Sequence, residues 1–142
     1  MNTELNLTQD KSAGDVGTRL TFFKNLQTVT NNIHATSNID EIMLELSQEI
    51  CTLFNADRLT IYSVSDDKSA IVSKFKTGLN SFKDLKLPIA DQSIAGYVAL
   101  SKKVINLRDV YDDVELKSHH PSLRFLKEVD KRTGYRTQQM LV

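Results

Sequence analysis

The stretch FLKEVDKRTGYRT, residues Phe125 to Thr137, joins a helical turn, a stop and the start of a strand. Leu123, Leu126 and Val129 recur every three residues, the spacing of a short helix that presses one side inward. Gly134 stands where a left-handed helix cap is wanted. The run Tyr135 to Val142 that follows is rich in β-favouring and apolar residues and predicts a strand. Working outward, Pro121 is placed to open that helix. Before it, residues 108–122, RDVYDDVELKSHHPS, form an acidic, turn-rich connection. A long irregular connection inside a compact domain suggests a binding loop, and the helix after it favours that reading.

Upstream, Asp91-Gln92-Ser93 reads as the cap of a helix filled by Ile94, Ala95, Tyr97, Val98 and Leu100, and Val104 to Leu107 as a strand. Leu85 to Ile89 predicts a short edge strand, because Pro88 cannot donate to a ladder. Thr77 to Ser81 reads as loop. Leu59 to Val64 alternates as a half-buried strand should, Asp66-Asp67-Lys68 is a hairpin turn, and Ala70 to Phe75 is the return strand. Asn38, with Glu41 three residues on, predicts the start of a core helix whose face is Ile39, Ile42, Met43, Leu46, Ile50 and Leu53. Before it, Leu20, Phe23, Thr30 and Ile33 give a helix from Thr18 to His34 with a narrow apolar stripe that suits a partner helix. Residues 1–17 are polar, carry Gly14 and Gly17, lack periodicity and read as a flexible leader. Helices, a hairpin, an edge strand and further strands add up to α/β (α+β) with a mainly antiparallel sheet.

The 142 residues suffice for one domain with a core. With 18 basic and 18 acidic residues the net charge is zero, so no overall field favours nucleic acid or an anionic membrane. Lys127, Lys131, Arg132 and Arg136, interleaved with Glu128 and Asp130, read as a solvated helix face. Cys51, the single cysteine, lies in an apolar helical run, which fits a buried thiol in a reducing, cytoplasmic compartment. No apolar run predicts membrane insertion.

Catalytic constellations are missing: there is no Walker-type GxxxxGK, no paired-cysteine spacing and no HExxH. His119-His120 near Asp112, Asp113 and Glu115 lacks metal-ligand spacing, so the chain reads as no enzyme and as holding no metal. The start of the helix after Ser93 is a candidate binding element, since Ser93, Ile94, Ala95 and Gly96 offer backbone donors to a phosphate or carboxylate, and Gly96 would let a ligand come close. The alternative is a helix that merely packs on the sheet.

Residues 91–142 resemble the second half of a GAF domain, a small-molecule sensory module. The resemblance rests on SIAG-V-A, on N-x-x-D-x-Y (Asn106, Asp109, Tyr111) and on V-D-x-x-T-G-Y-R-T. The half from about Phe22 to Phe75 matches in layout. The text also resembles the GAF domains that precede type II secretion and type IV pilus ATPases. From the resemblance follow a GAF-like domain over 18–142, apparently cut before a last strand and helix, and a lid of residues 108–132 over a pocket. It implies a cyclic nucleotide or another small anionic ligand, with no tightly held cofactor. Its contacts would come from Ser93, Ile94 and Ala95 for the phosphate end and from Asp109, Asp130, Thr133 and Thr137 for the ligand or lid. Leu126 departs from the aromatic or polar residue often found after the lid phenylalanine. The resemblance further implies a regulatory role over a downstream effector such as a secretion or pilus ATPase. A homodimer through the 18–34 helix is expected beside the ligand, and a dimerisation or docking module with no ligand is the alternative. Methionine sulfoxide reduction is disfavoured because that activity relies on several cysteines, and covalent bilin attachment because Cys51 lies outside the pocket half.

Overall fold

Two stretches of chain with different periodicity build two compact units, divided between Leu59 and Thr60. The computed structural model describes residues 3–38, 46–76 and 85–142. The expected core face at Ile39, Ile42 and Met43, the partner Glu41 of Asn38, and the Thr77 to Ser81 loop lie outside the described residues.

The first unit holds α1 (Thr3–Ala35) and α2 (Ser47–Phe54). The helical backbone starts at Thr3, not at Thr18. Its residues 14–25 are exposed, and from Leu26 on it buries side chains, with Val29 deepest. Against this end packs α2, whose Cys51 is buried as expected, while Phe22 meets Phe54 edge-on at 6.3 Å between ring centroids. Asn55 ends α2 in the left-handed region at φ 49°, a conformation asparagine tolerates, and the next amide, Ala56 N–H, donates back to the Cys51 carbonyl at 2.8 Å.

The second unit begins with the expected hairpin. Strands β1 (Thr60–Val64) and β2 (Ala70–Lys76) pair antiparallel, with a bulge between Ile61 and Tyr62. Their turn is held by Asp67, whose carboxylate accepts from Ser65 Oγ, Ser69 N and Ser69 Oγ. The edge strand β3 (Lys86–Pro88) follows in the order β1-β2-β3, and Pro88 sits on it as the missing donor requires. Buried Ser73 stitches β2 to the chain entering β3, its Oγ accepting from Leu85 N at 2.8 Å.

Helix α3 (Ile94–Ser101) lies against β2 and β3, and Gly96 explains how. A Cβ built there would stand 2.4 Å from the Pro88 carbonyl oxygen and 2.6 Å from Ser93 Oγ. Gly96 therefore serves close packing of helix on backbone, not the approach of a ligand. The strand expected from Val104 shrinks to β4 (Asn106–Leu107), paired antiparallel with β5 (Met140–Leu141) as a two-stranded sheet. Ile105 and Val142 exchange backbone hydrogen bonds of 2.9 Å beyond its end. The strand expected from Tyr135 is likewise short: Arg136 and Thr137 are turned to the side-chain partners described below, and the Gln138 carbonyl accepts from Val110 N–H.

Inside the 108–122 connection lies a helix the turn-rich composition hid, α4 (Asp113–His119). Asp112 caps it, accepting from Val114 N and Glu115 N at 2.9 and 3.2 Å. Helix α5 is only Glu128–Thr133, so Pro121 does not open it. Leu123 is 1% exposed and Leu126 46%, so the every-third-residue stripe does not face one way. Ile94, Ile105, Leu107, Val110, Leu116 and Leu123 form the buried cluster, with Tyr111, Phe125 and Met140 packed on it.

Replacing Gly96 by Ala is expected to lower unfolding stability by about 2 kcal/mol through overpacking. Replacing Gly134, held at φ 67° with open space around it, should cost about 1 kcal/mol through backbone strain alone. Urea denaturation midpoints of the two variants measure both.

Candidate functional site

The motif segments N-x-x-D-x-Y and V-D-x-x-T-G-Y-R-T meet in space. Gly134 reverses the chain after α5, and this brings Thr137 back onto Asp130. Asp130 is 5% exposed, and burying a carboxylate is costly unless donors surround it. It has them: the Tyr111 hydroxyl donates to Oδ2 at 2.9 Å, Thr137 N–H to Oδ2 at 2.6 Å, and the Thr137 hydroxyl to Oδ1 at 2.7 Å. Burial and then the hydrogen bond to Asp130 push the Tyr111 phenol above its ordinary range.

Beside this stands a second carboxylate. Asp109 takes Arg136 Nη2 on both oxygens, at 2.8 and 3.1 Å, and accepts from Tyr111 N–H at 3.0 Å. The Arg136 bond holds the Asp109 carboxyl below its usual range and raises the guanidinium correspondingly. Arg136 also lies 4.7 Å and Lys127 Nζ 5.0 Å from the centroid of the Tyr111 ring, while Phe125 meets that ring edge-on. Glu115 closes the loop by accepting from Arg108 N–H and Asp109 N–H, and these bonds pull its carboxyl down.

The expected residues thus separate into two groups. Asp109, Asp130 and Thr137 are gathered into one network, with Thr133 next to it donating to the Val129 carbonyl at 2.9 Å. Ser93, Ile94 and Ala95 belong to the start of α3. There Ser93 Oγ accepts from Gly96 N–H at 3.1 Å and its carbonyl from Tyr97 N–H at 2.8 Å. Of the first-turn donors, capping leaves those of Ile94 and Ala95 for another acceptor. The interleaved charges do not form one solvated face: Glu128, Lys131 and Arg132 are exposed, Asp130 is buried and Arg136 is off the helix. Tyr111, Arg136 and Glu115 were not among the expected site residues. Tyr111 and Arg136 stand within the two motifs, and Glu115 stands three residues after a helix-capping aspartate. His119 and His120 gather no further ligands, and no cluster of metal-ligating side chains occurs among the described residues.

Comparison with solved structures decides the fold. The chain superposes on the GAF domain of a phosphoenolpyruvate-protein phosphotransferase from Coxiella burnetii with a TM-score of 0.63 and 21% identity, over 86% of this chain and 67% of that one. The fold is that of a GAF domain. The corresponding GAF domain from Acinetobacter aligns at a TM-score of 0.56 and 14% identity, over 72% of this chain and 61% of that one. In sequence, the chain is 29% identical over 129 residues to a dual 3',5'-cyclic-AMP and -GMP phosphodiesterase 11A of Takifugu rubripes. That match covers 84% of this chain and spans 13% of the relative's length. No family model matches. The expected α/β (α+β) class with antiparallel pairing therefore holds, the sheet being in two pieces. No described helix of this GAF fold is long and apolar enough to cross a membrane.

Asp130→Ala, which strands three donors, is expected to destabilise the protein by about 3 kcal/mol, measured by urea denaturation. Acid should act on the hydrogen-bonded carboxylates outside the core. Asp109 and Glu115 have lowered folded values and Asp67 is pulled down to about 2. Their contributions are complete above the ordinary carboxylate range, about 4, and fade as pH falls through the lowered values. The melting temperature should therefore hold between about pH 7 and 5 and drop below about 4, less steeply in Asp109→Asn.

Proposed function

We propose that this chain is a regulatory, small-molecule-sensing domain that acts by binding and not by catalysis. The observation that carries this reading is the 29% identity to a cyclic-nucleotide phosphodiesterase over 84% of the chain, on a GAF fold. A cyclic nucleotide is the ligand we favour, its phosphate taken by the backbone donors of Ile94 and Ala95 and its remainder covered by the 108–132 segment. In this scheme Asp130 and Thr137 act from behind: their bonds with Tyr111 set the position of the covering segment. Thr133 faces the ligand and Asp109 anchors Arg136. Ligand binding then biases a downstream effector, for which an ATPase of a secretion or pilus system is one candidate, in the cytoplasm.

A second reading has support of its own. Leu20 and Phe23 on α1 are 54% and 63% exposed, an apolar pair three residues apart within the exposed stretch 14–25. A homodimer through residues 18–34, without any ligand, would cover them.

Isothermal titration with cyclic AMP and cyclic GMP separates the two. The sensing reading expects heat with at least one and its loss when Ala95→Pro removes a first-turn donor; silence with both at millimolar concentration removes the nucleotide. The docking reading expects concentration-dependent dimerisation that Phe23→Glu abolishes in analytical ultracentrifugation.

A further inference from the structure

From Arg108 to Arg124 the main chain is tied down along its length. Arg108 N–H and Asp109 N–H donate to Glu115, Val110 N–H to the Gln138 carbonyl at 2.9 Å, and Leu123 N–H to the His120 carbonyl at 3.1 Å. At the far end Arg124 N–H donates to the Gln92 carbonyl at 2.8 Å, and Arg124 bridges Ser93. Val110, Leu116 and Leu123, none more than 1% exposed, anchor the same stretch in the core. The residues that follow differ. No amide from Phe125 to Val129 donates to an acceptor among the described residues. Lys127 leads into α5 without a side-chain cap, and Leu126, Lys127 and Glu128 are exposed. Phe125, half-buried at the margin of the core, meets the Tyr111 ring edge-on at 5.3 Å, and Lys127 Nζ stands over the same ring at 5.0 Å. Firm attachment resumes at Asp130, held by Tyr111 and Thr137.

We propose that Phe125–Val129 is the moving gate of the covering segment, hinged at Arg124 and Asp130, and that residues 108–124 are its fixed frame. The proposal rests on the sensing reading for what the gate admits, a small anionic molecule, and on the chain's own bonds for how it moves. Swinging all of 108–132 aside would pull Val110, Leu116 and Leu123 into water. It would also break the bonds at Glu115, Gln138 and Gln92, so such an opening approaches unfolding of the unit. Lifting the gate costs none of its own amides a bond. It gives up the edge contact of Phe125 and the cation–ring contact of Lys127, both modest at a partly exposed site. The hinges hold because one is main chain bonded to main chain and the other a buried carboxylate among its donors. A small molecule therefore enters past the Tyr111 ring and not beneath α4.

The motion is measured on the ligand-free full chain, so silence with cyclic AMP and cyclic GMP removes the nucleotide without deciding the gate. Nitrogen-15 relaxation should give order parameters below about 0.6, or microsecond-to-millisecond exchange, from Leu126 to Glu128, against about 0.85 and no exchange at Val110, Leu116 and Leu123. In amide hydrogen exchange, Leu116 and Leu123 should show the same urea dependence as Ile105, the mark of opening only with the unit. Phe125→Ala should raise the open fraction of the gate at least about twofold and leave the protection of Leu116 unchanged. Should that variant fail to fold, Lys127→Ala, at an exposed position, carries the same expectation. A stretch 126–128 as rigid as Leu116 overturns the proposal. So do Leu116 and Leu123 amides that open with a shallower urea dependence than Ile105, or a gate motion that the folded variant leaves unchanged.

Discussion

The Asp130 carboxylate is the one buried charge among the described residues, and the second unit is arranged around satisfying it. Its three hydrogen bonds come from Tyr111, 19 residues earlier, and from Thr137, seven residues later. An isolated buried charge is untenable, so these donors must be present together. Their presence fixes the path of the chain from β4 to β5. Gly134 supplies the reversal that makes the return of Thr137 sterically allowed. Arg136, carried along on the same return, reaches Asp109 and lies over the Tyr111 ring.

This network changes what the site residues can do. Asp109 and Asp130 look like ligand contacts when considered as residue types. In the fold their oxygens are occupied by Arg136, Tyr111 and Thr137, so their effect on any ligand is exerted through the position of the segment they hold. At the other group, Gly96 is consumed by contact with the Pro88 carbonyl and Ser93 by capping, which leaves the backbone of Ile94 and Ala95. The anion site proposed there is thus mostly main chain, and main-chain donors suit an anion without specifying one.

Much of the architecture was legible from local chemistry. The hairpin at Asp66 to Lys68, the edge strand at Pro88, the Ser93 cap, the left-handed Gly134 and the buried Cys51 each follow from a residue whose conformational or burial preference is strong. The misreadings occurred where preference is weak or non-local. The capping aspartate of α4 was lost within an acidic run, and the stripe Leu123, Leu126 and Val129 mimicked a helix because the core needs Leu123 alone among the first two. The strand after Gly134 is short where Arg136 and Thr137 are diverted to the carboxylates of Asp109 and Asp130, partners that no periodicity encodes.

By itself, the sequence determined the class of the fold and the places where chain direction changes, since turns, caps and proline positions depend on neighbours a few residues away. It also carried the two motifs whose residues meet. Only the tertiary structure decided that they meet each other. Whether a carboxylate is free for a ligand or spent within the protein depends on donors 7 to 27 residues distant, as with Thr137 for Asp130 and Arg136 for Asp109. That information exists only once the chain has closed on itself.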